Sequence, residues 1–417
     1  MQPSLSDLTR TFARIGVLSF GGPAAQIALM HRVLVEDRKW LTEKDYLSAL
    51  SFCMLLPGPE AMQLATWAGW RLHGTLGGLI AGGLFVLPGA VVVLALSMAY
   101  AAWGEVPLMQ ALFLGVQAAV IAIVVQALIR VARKALRDRA AYVIAGLALL
   151  GLLALNLPFP VIILAAGVWG LLTAAPGTAP LPQIAAPRTA QTLAVWLGVW
   201  LVPLAALWAM GGILFDIAWF FSKLAVVTFG GAYAVLAWMT QEVVAVQGWL
   251  TTEQMMAGLG LAETTPGPLI LVTEFVGFMA GYGAGGWGLG LAGAIVTLWM
   301  TFVPCFLWIF VAAPYLARIT ADPRLAGALQ AIMAAVVGVI ANLSLWFAMT
   351  LLFRDTSITR SGPLHLMTPD LSSLNLWALG LSALSALLLI GLHRPIWLVL
   401  AVSCAVSVAV SVALGAL

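Results

Sequence analysis

The chain has 417 residues, of which 63% are hydrophobic and only 8% are Asp, Glu, Lys or Arg. Soluble domains run at roughly 45–50% apolar and about 25% charged, so a water-facing globule is excluded. A polytopic helical membrane protein with the lipid bilayer as its main solvent is expected. The net charge of +3, with no basic tract, argues against a nucleic-acid partner.

In chain order, the first apolar stretch covers 12–30. It carries Arg14 and Ser19 and is interrupted by Phe20-Gly21-Gly22-Pro23. A basic loop follows at 31–45, with Arg32, Arg38, Lys39 and Lys44. Residues 46–71 form an apolar segment broken at Pro57-Gly58-Pro59. Each of its arms is only about 16–20 Å long at 1.5 Å per residue, short of the roughly 30 Å hydrocarbon core. Long apolar runs at 75–102 and 107–129 lead to a second basic run, Arg130 to Arg139. Two crossings between two basic, cytoplasmic loops leave zero or two for 46–71, which predicts a re-entrant hairpin with Pro-Gly-Pro at its tip. The proline-rich stretch 175–192 reads as an exposed linker between an N-terminal repeat, 1–174, and a C-terminal repeat, 193–417.

The repeat rests on three motifs in one register. Phe20-Gly21-Gly22 returns as Phe229-Gly230-Gly231, Trp40-Leu41-Thr42 as Trp249-Leu250-Thr251, and Pro57-Gly58-Pro59 as Pro266-Gly267-Pro268, each 209 positions on. Arg14 pairs with Lys223, Ser19 with Thr228 and Gly74 with Gly283. Charge then separates the halves. The loop matching 31–45 keeps Glu242 and Glu253 and no cation, whereas the 103–107 turn has only Glu105 against Arg318 and Arg324 in its counterpart. Basic loops stay cytoplasmic, so the repeats are predicted to be inverted, a transporter architecture. The expected fold is all-α, with about thirteen hydrophobic segments, four of them broken.

Broken backbone inside a membrane is tolerated only where protein or a wet cavity satisfies it. Helix N-termini restarting after Pro59 and Pro268 would present N–H groups and partial positive charge to such a cavity, so that the backbone amides at the breaks Pro57-Gly58-Pro59 and Pro266-Gly267-Pro268 are expected to hold an anion, with Gly21-Gly22 and Gly230-Gly231 allowing close backbone approach. Arg14 and Lys223 would add charge, and Gln63, Thr264 and Thr265 are neutral groups suited to an oxyanion. Glu60, Glu263 and Glu274 are intramembrane carboxylates without acidic counterparts in the other half, candidates for carrying coupling protons. Cys53, Cys305 and Cys404 make no ligand spacing, and His31, His73, His365 and His393 are scattered. No metal or cofactor is expected. An intramembrane enzyme would need a paired nucleophile and base, which the sequence lacks; an anion channel would differ by conducting without saturable counterflow.

Phe20-Gly21-Gly22-Pro23, Glu36, Arg38, Trp40-Leu41-Thr42 and Leu56-Pro57-Gly58-Pro59 together resemble the chromate ion transporter family in its two-domain form. The second copy, from Phe229-Gly230-Gly231 through Glu242 and Gly248-Trp249-Leu250-Thr251 to Thr265-Pro266-Gly267-Pro268, resembles that family's C-terminal domain. The resemblance spans essentially the whole chain. It implies a bacterial inner-membrane exporter of chromate, driven by the proton motive force and conferring chromate resistance. It also implies a relation to sulfate, an isosteric tetrahedral oxyanion, and a homodimer is left open. Glu60 departs from the neutral residue expected after the first Pro-Gly-Pro.

Overall fold

The computed structural model describes residues 3–20, 22–104, 106–174, 189–229, 232–361 and 364–413. Gly21, Gly230, Gly231, Glu105 and 175–188 of the predicted linker lie outside the described residues.

The chain is helical almost throughout. Its first part runs α1 (Leu5–Leu18), α2 (Gly22–His31), α3 (Glu43–Leu55), α4 (Glu60–Trp103), α5 (Pro107–Ala135), α6 (Arg139–Leu153) and α7 (Phe159–Thr173). Then follow α8 (Thr189–Met210), α9 (Ile213–Val227), α10 (Ala232–Thr240), α11 (Thr252–Thr264), α12 (Val272–Gly285), α13 (Trp287–Ala312) and α14 (Leu316–Ala321). The remainder is α15 (Pro323–Leu352), a hairpin of β1 (Thr356–Ser361) and β2 (Leu364–Pro369), α16 (Leu376–Ala386) and α17 (Ile396–Ala413). Among the described residues, six helices are long and apolar enough to cross a bilayer: α4, α5, α8, α13 with its continuation to Ala321, α15 and α17. The antiparallel β-hairpin was not expected from the sequence. It lies in the loop holding Arg354, Asp355 and Asp370, where Ile and Thr recur between polar residues as strands favour.

Local chemistry sets the helix starts. Ser4 accepts the Asp7 N–H at 3.1 Å ahead of α1, and Thr42 accepts the Asp45 N–H at 3.1 Å ahead of α3, each a side-chain cap of an otherwise orphan donor. The repeat is visible in the backbone. A π-helical turn at Arg32–Asp37 returns at Gln241–Val246. Each is followed by a left-handed residue, Lys39 at φ 52° and Gly248 at φ 63°, and then by a tryptophan, Trp40 or Trp249, whose N–H bonds back 2.8 Å to Leu34 or Val243.

Compactness follows a different division from the repeats. One compact unit gathers Met1–Met98, Ala174–Val235 and Thr265–Gly327; the other gathers Ala99–Thr173, Leu236–Thr264 and Ala328–Leu417. In the second unit α5 packs against α11, α16 and α17. Small residues set the close approaches there: a Cβ on Gly338 would fall 2.2 Å from the Ala145 carbonyl oxygen, and one on Gly115 would fall 2.6 Å from that of Ser403. This is the small-residue packing by which helices associate in lipid.

The first unit holds two helical hairpins. The helix α4 is bent double at His73 and Gly74, where φ, ψ of 60°, −154° at Gly74 leave the helical region. Its two arms touch so closely that a Cβ on Gly69 would lie 2.2 Å from the Gly77 carbonyl oxygen. The helices α12 and α13 form the same device around Gly286 at φ 78°, ψ −160°, with Gly277 against Thr297 and Gly293. The structural counterpart of Gly74 is therefore Gly286, three residues beyond the Gly283 that gap-free alignment selects. The shift has a visible source: the second copy begins with an extra 3₁₀ turn, Leu269–Leu271, before α12. Replacing Gly69 by Ala is expected to cost about 1–3 kcal/mol through overpacking, read as a lower melting temperature in detergent. Gly83→Ala, where nothing lies within 4 Å of the new Cβ, is expected to leave melting unchanged.

Candidate functional site

The two broken segments meet the ends of the two helices that precede the glycine pairs. Both α1 and α9 finish in the same way. Ser19 (φ −78°, ψ 66°) and Thr228 (φ −76°, ψ 71°) each occupy an inverse γ-turn. The next N–H, of Phe20 or Phe229, returns 2.9 Å to the carbonyl of Leu18 or Val227. Each hydroxyl donates back into its own helix, Ser19 Oγ to the Ile15 carbonyl at 2.6 Å and Thr228 Oγ1 to the Leu224 carbonyl.

The carbonyls of Ser19 and Thr228 are then satisfied by the opposite repeat. The Gly58 N–H donates to the Thr228 carbonyl at 2.8 Å, and the Gly267 N–H donates to the Ser19 carbonyl at 2.8 Å. Glycine is required at both tips, because φ is +126° at Gly58 and +92° at Gly267, where a side chain is strained. Space is short too: a Cβ on Gly58 would meet Gln63 Nε2 at 2.7 Å and Cys305 Sγ at 2.9 Å. Gln63 is fully buried, and its Nε2 donates to the Pro57 carbonyl at 2.7 Å. The amides of Gly58 and Gly267, expected to face an anion, are therefore committed to holding the repeats together. The N–H groups left over are those one turn on. Ala61 and Met62 in the first turn of α4, and Leu269 and Ile270 in the 3₁₀ turn, have no intrahelical acceptor.

A small cavity lies at these helix starts, with about 20 Å³ open to the centre of a water molecule, room for about one water. Its walls are matched pairs from the two repeats: Pro23 with Ala232, Pro59 with Pro268, Glu60 with Leu269, Ala61 with Ile270. The cavity thus sits on the axis that relates the repeats. Its polar side chains, however, both come from the first repeat: Glu60, and Gln26, whose counterpart is Val235. Gln26 is 1% exposed. Its Nε2 donates to the Gly267 carbonyl at 2.6 Å and to the Ser19 carbonyl at 3.3 Å, and its Oε1 has no partner. Sequence reasoning missed Gln26. The available signal was a lone amide in the apolar run 24–30, one turn after the glycine break.

The other expected residues are dispersed. Arg14 lies on the exposed face of α1. Lys223 is half-buried, its Nζ 5.6 Å from the centre of the Trp219 ring and 6.0 Å from that of Phe220, a cation–π arrangement. Neither cation lines the cavity. Gly22 takes φ +78° with open space around it. Thr264 is exposed and donates to the Leu261 carbonyl at 2.8 Å, while Thr265 and Glu263 are buried. Glu274, in the first turn of α12, is 1% exposed, and its Oε2 has no partner. On α13, which packs against α12, the hydroxyls of Thr297 and Thr301 are likewise buried and unpartnered. Among the described residues no cluster of His, Cys, Asp and Glu suits a metal ion.

Comparison with known proteins gives a consistent result. A family model described as "Chromate transporter" matches residues 6–171 and 215–408. The chain is 33% identical over 402 residues to the chromate transport protein of Pseudomonas aeruginosa, covering 95% of this chain and 92% of that one. It is 32% identical over 343 residues to the chromate transport protein of Cupriavidus metallidurans, covering 81% of each. An uncharacterized transporter of Methanocaldococcus jannaschii is 26% identical over 353 residues, 83% of this chain and 85% of that one. No solved structure matches at a significant level.

Gly58→Ala and Gly267→Ala should each cost about 1–3 kcal/mol from left-handed strain and crowding. Each should also reduce transport at matched expression, measured against Gly83→Ala as the neutral control.

Proposed function

The chain belongs to the chromate transporter family, and on that premise we propose that it is a secondary active transporter that exports chromate across a bacterial inner membrane. In this reading the proton motive force drives export, and the cell gains chromate resistance. The observation that carries the reading is the cavity at the repeat axis. Helix starts of both copies line it, Pro59 and Ala61 of one with Pro268 and Ile270 of the other, and helix starts suit an anion.

The cavity holds about one water as it stands, so an oxyanion enters only when the two breaks part. Alternating access follows if they part toward one side of the membrane and then the other. Arg14 and Lys223, outside the cavity, act as long-range charge that draws the anion in. Of the three candidate carboxylates, Glu274 is the one we assign to proton coupling. It is buried with an oxygen unpartnered, the setting in which a carboxyl gains most from exchanging its proton during a cycle. Glu60 belongs to the substrate cavity instead.

Inverted membrane vesicles carrying the full chain are expected to accumulate labelled chromate, faster with an imposed pH gradient. Accumulation of another anion in place of chromate would overturn the substrate, and conductance without saturable counterflow would overturn the carrier mechanism. Glu274→Gln is expected to abolish the gradient-driven component, by at least about tenfold, while leaving chromate–chromate counterflow intact. Loss of both would place Glu274 in the fold and not in coupling.

A further inference from the structure

At the start of the basic loop 31–45, one imidazole sits between two carboxylates. His31 Nδ1 is 3.2 Å from Glu36 Oε1, and His31 Nε2 is 2.6 Å from Glu43 Oε2. We propose that this triad is a proton-operated latch: with His31 charged it ties α2 to α3 and slows the transport cycle, and with His31 neutral it lets the two helices move. The inference rests on the chain being a carrier whose breaks part during the cycle.

Carboxylates only accept hydrogen bonds, so both ring nitrogens must donate for both contacts to hold. A neutral imidazole has one donor and one acceptor, and its bare nitrogen would face a carboxylate oxygen. The bridged arrangement is therefore that of the imidazolium. Loss of the proton removes one N–H and the charge that draws two anions together. The latch is thus made at low pH and released as pH rises through the range in which imidazole changes charge, about pH 5 to 8.

The backbone builds this contact. In an α-helix, residues five apart lie about 140° apart around the axis at 3.6 residues per turn, too far to meet. The π-helical turn Arg32–Asp37 winds more widely, with i→i+5 hydrogen bonds, and brings Glu36 back over His31. Glu43 is placed by the Thr42 cap at the first turn of α3. Tyr46 follows one turn on and is 1% exposed. Its ring meets the His31 ring edge-on at 5.1 Å, and its hydroxyl donates to the Ile27 carbonyl at 2.6 Å. The second repeat keeps the π-helical turn but has Thr240, Ala245 and Thr252 at the positions of His31, Glu36 and Glu43. The turn therefore forms without the triad.

The titratable groups in contact with His31 are Glu36 from the π-helical turn, and Glu43 and Tyr46 from α3. Arg38 lies 5.7 Å from the centre of the Trp40 ring, and Asp45 accepts the Thr42 hydroxyl at 2.8 Å. Arg32, Asp37, Lys39 and Lys44 are exposed, as is Arg318 of α14, the helix that packs against α3.

Leverage comes from where the tied helices end. Helix α2 starts at Gly22, in the first break, and α3 ends at Leu55, two residues before Pro57. Tying their far ends fixes the angle between them, and so the spacing of the first repeat's two breaks. At 1.5 Å per residue the latch acts over about 15–20 Å.

The test is chromate counterflow through the full-length protein in liposomes, at equal pH on both sides so that no gradient contributes. The rate of the unmodified protein is divided by that of His31→Gln at each pH. Glutamine cannot take the charge, and any effect of pH on the anion or on other protein groups divides out. The ratio is expected to be about one at about pH 8 and about fivefold lower at about pH 6. Glu36 and Glu43 are 59% and 58% exposed, so their substitution leaves the fold intact. Glu36→Gln and Glu43→Gln should each weaken the pH response, and the two together should reproduce the His31→Gln profile. Adding His31→Gln to that pair should change nothing further. A ratio constant across the range, or a carboxylate double variant that keeps the response, would overturn the latch while leaving transport standing. Absence of chromate movement in every variant and at every pH would instead remove the carrier reading. The triad is read separately by carbon-13 histidine NMR, with the His31 resonance assigned by its loss in His31→Gln. That resonance should move in both carboxylate variants, and one unmoved by either would remove the triad whatever the transport result.

Discussion

Two backbone hydrogen bonds, crossed between the repeats, are the constraint on which the first compact unit depends. Each copy of the chain ends one helix in an inverse γ-turn and breaks another segment at Pro-Gly-Pro. Lipid offers no hydrogen bonds, so an orphan carbonyl or amide there costs several kcal/mol. The Ser19 carbonyl is met by Gly267 and the Thr228 carbonyl by Gly58. The polar debt of each repeat is settled by the other. The requirement for glycine at both tips, the steric closeness of Gln63 and Cys305, and the position of the cavity beside the breaks all follow from that exchange.

Symmetry of the backbone is combined with asymmetry of the side chains. The γ-turns, the π-helical turns and the glycine tips recur in both copies, because they solve the same geometric problem twice. The groups that can recognise or move a proton do not recur. Gln26 has Val235 as its counterpart, Glu60 has Leu269, and Glu274 has no acidic equivalent. A duplicated frame leaves each copy free to specialise once the shared bonds are in place. Specificity can then be altered on one side of the axis without disturbing the other.

Much of this was readable before any coordinates. Three motifs at one spacing identified the repeat, and the helix breaks at Pro57-Gly58-Pro59 and Pro266-Gly267-Pro268 were located by their breaker residues. Family membership followed from the same motifs. The role of the tip glycines was not readable, because their partners are set by tertiary contacts and not by local pattern. Gln26 was passed over for a related reason: nothing in a lone amide reveals that its nitrogen is shared by two carbonyls. The cations Arg14 and Lys223 stood out as charges in an apolar run, yet the surroundings found for them are an exposed helix face and a pair of aromatic rings. The β-hairpin and the three-residue slip to Gly286 escaped because a short loop and an added 3₁₀ turn leave little trace in composition.

The reach of the crossed bonds also bears on how the chain is made. Gly267, whose N–H meets the Ser19 carbonyl, also accepts from the Gln26 side chain 241 residues earlier in the sequence. At translation rates of about 5–20 residues per second, the ribosome takes roughly ten to fifty seconds to deliver the second partner after the first. For that interval the N-terminal repeat stands in or beside the membrane with its helix end uncapped. Its broken segment must stay hydrated, or held by the insertion machinery, until the complementary tip arrives. Biogenesis is thus a waiting process, in which the first half is kept open by the lack of the strands of hydrogen bonding that only the second half brings.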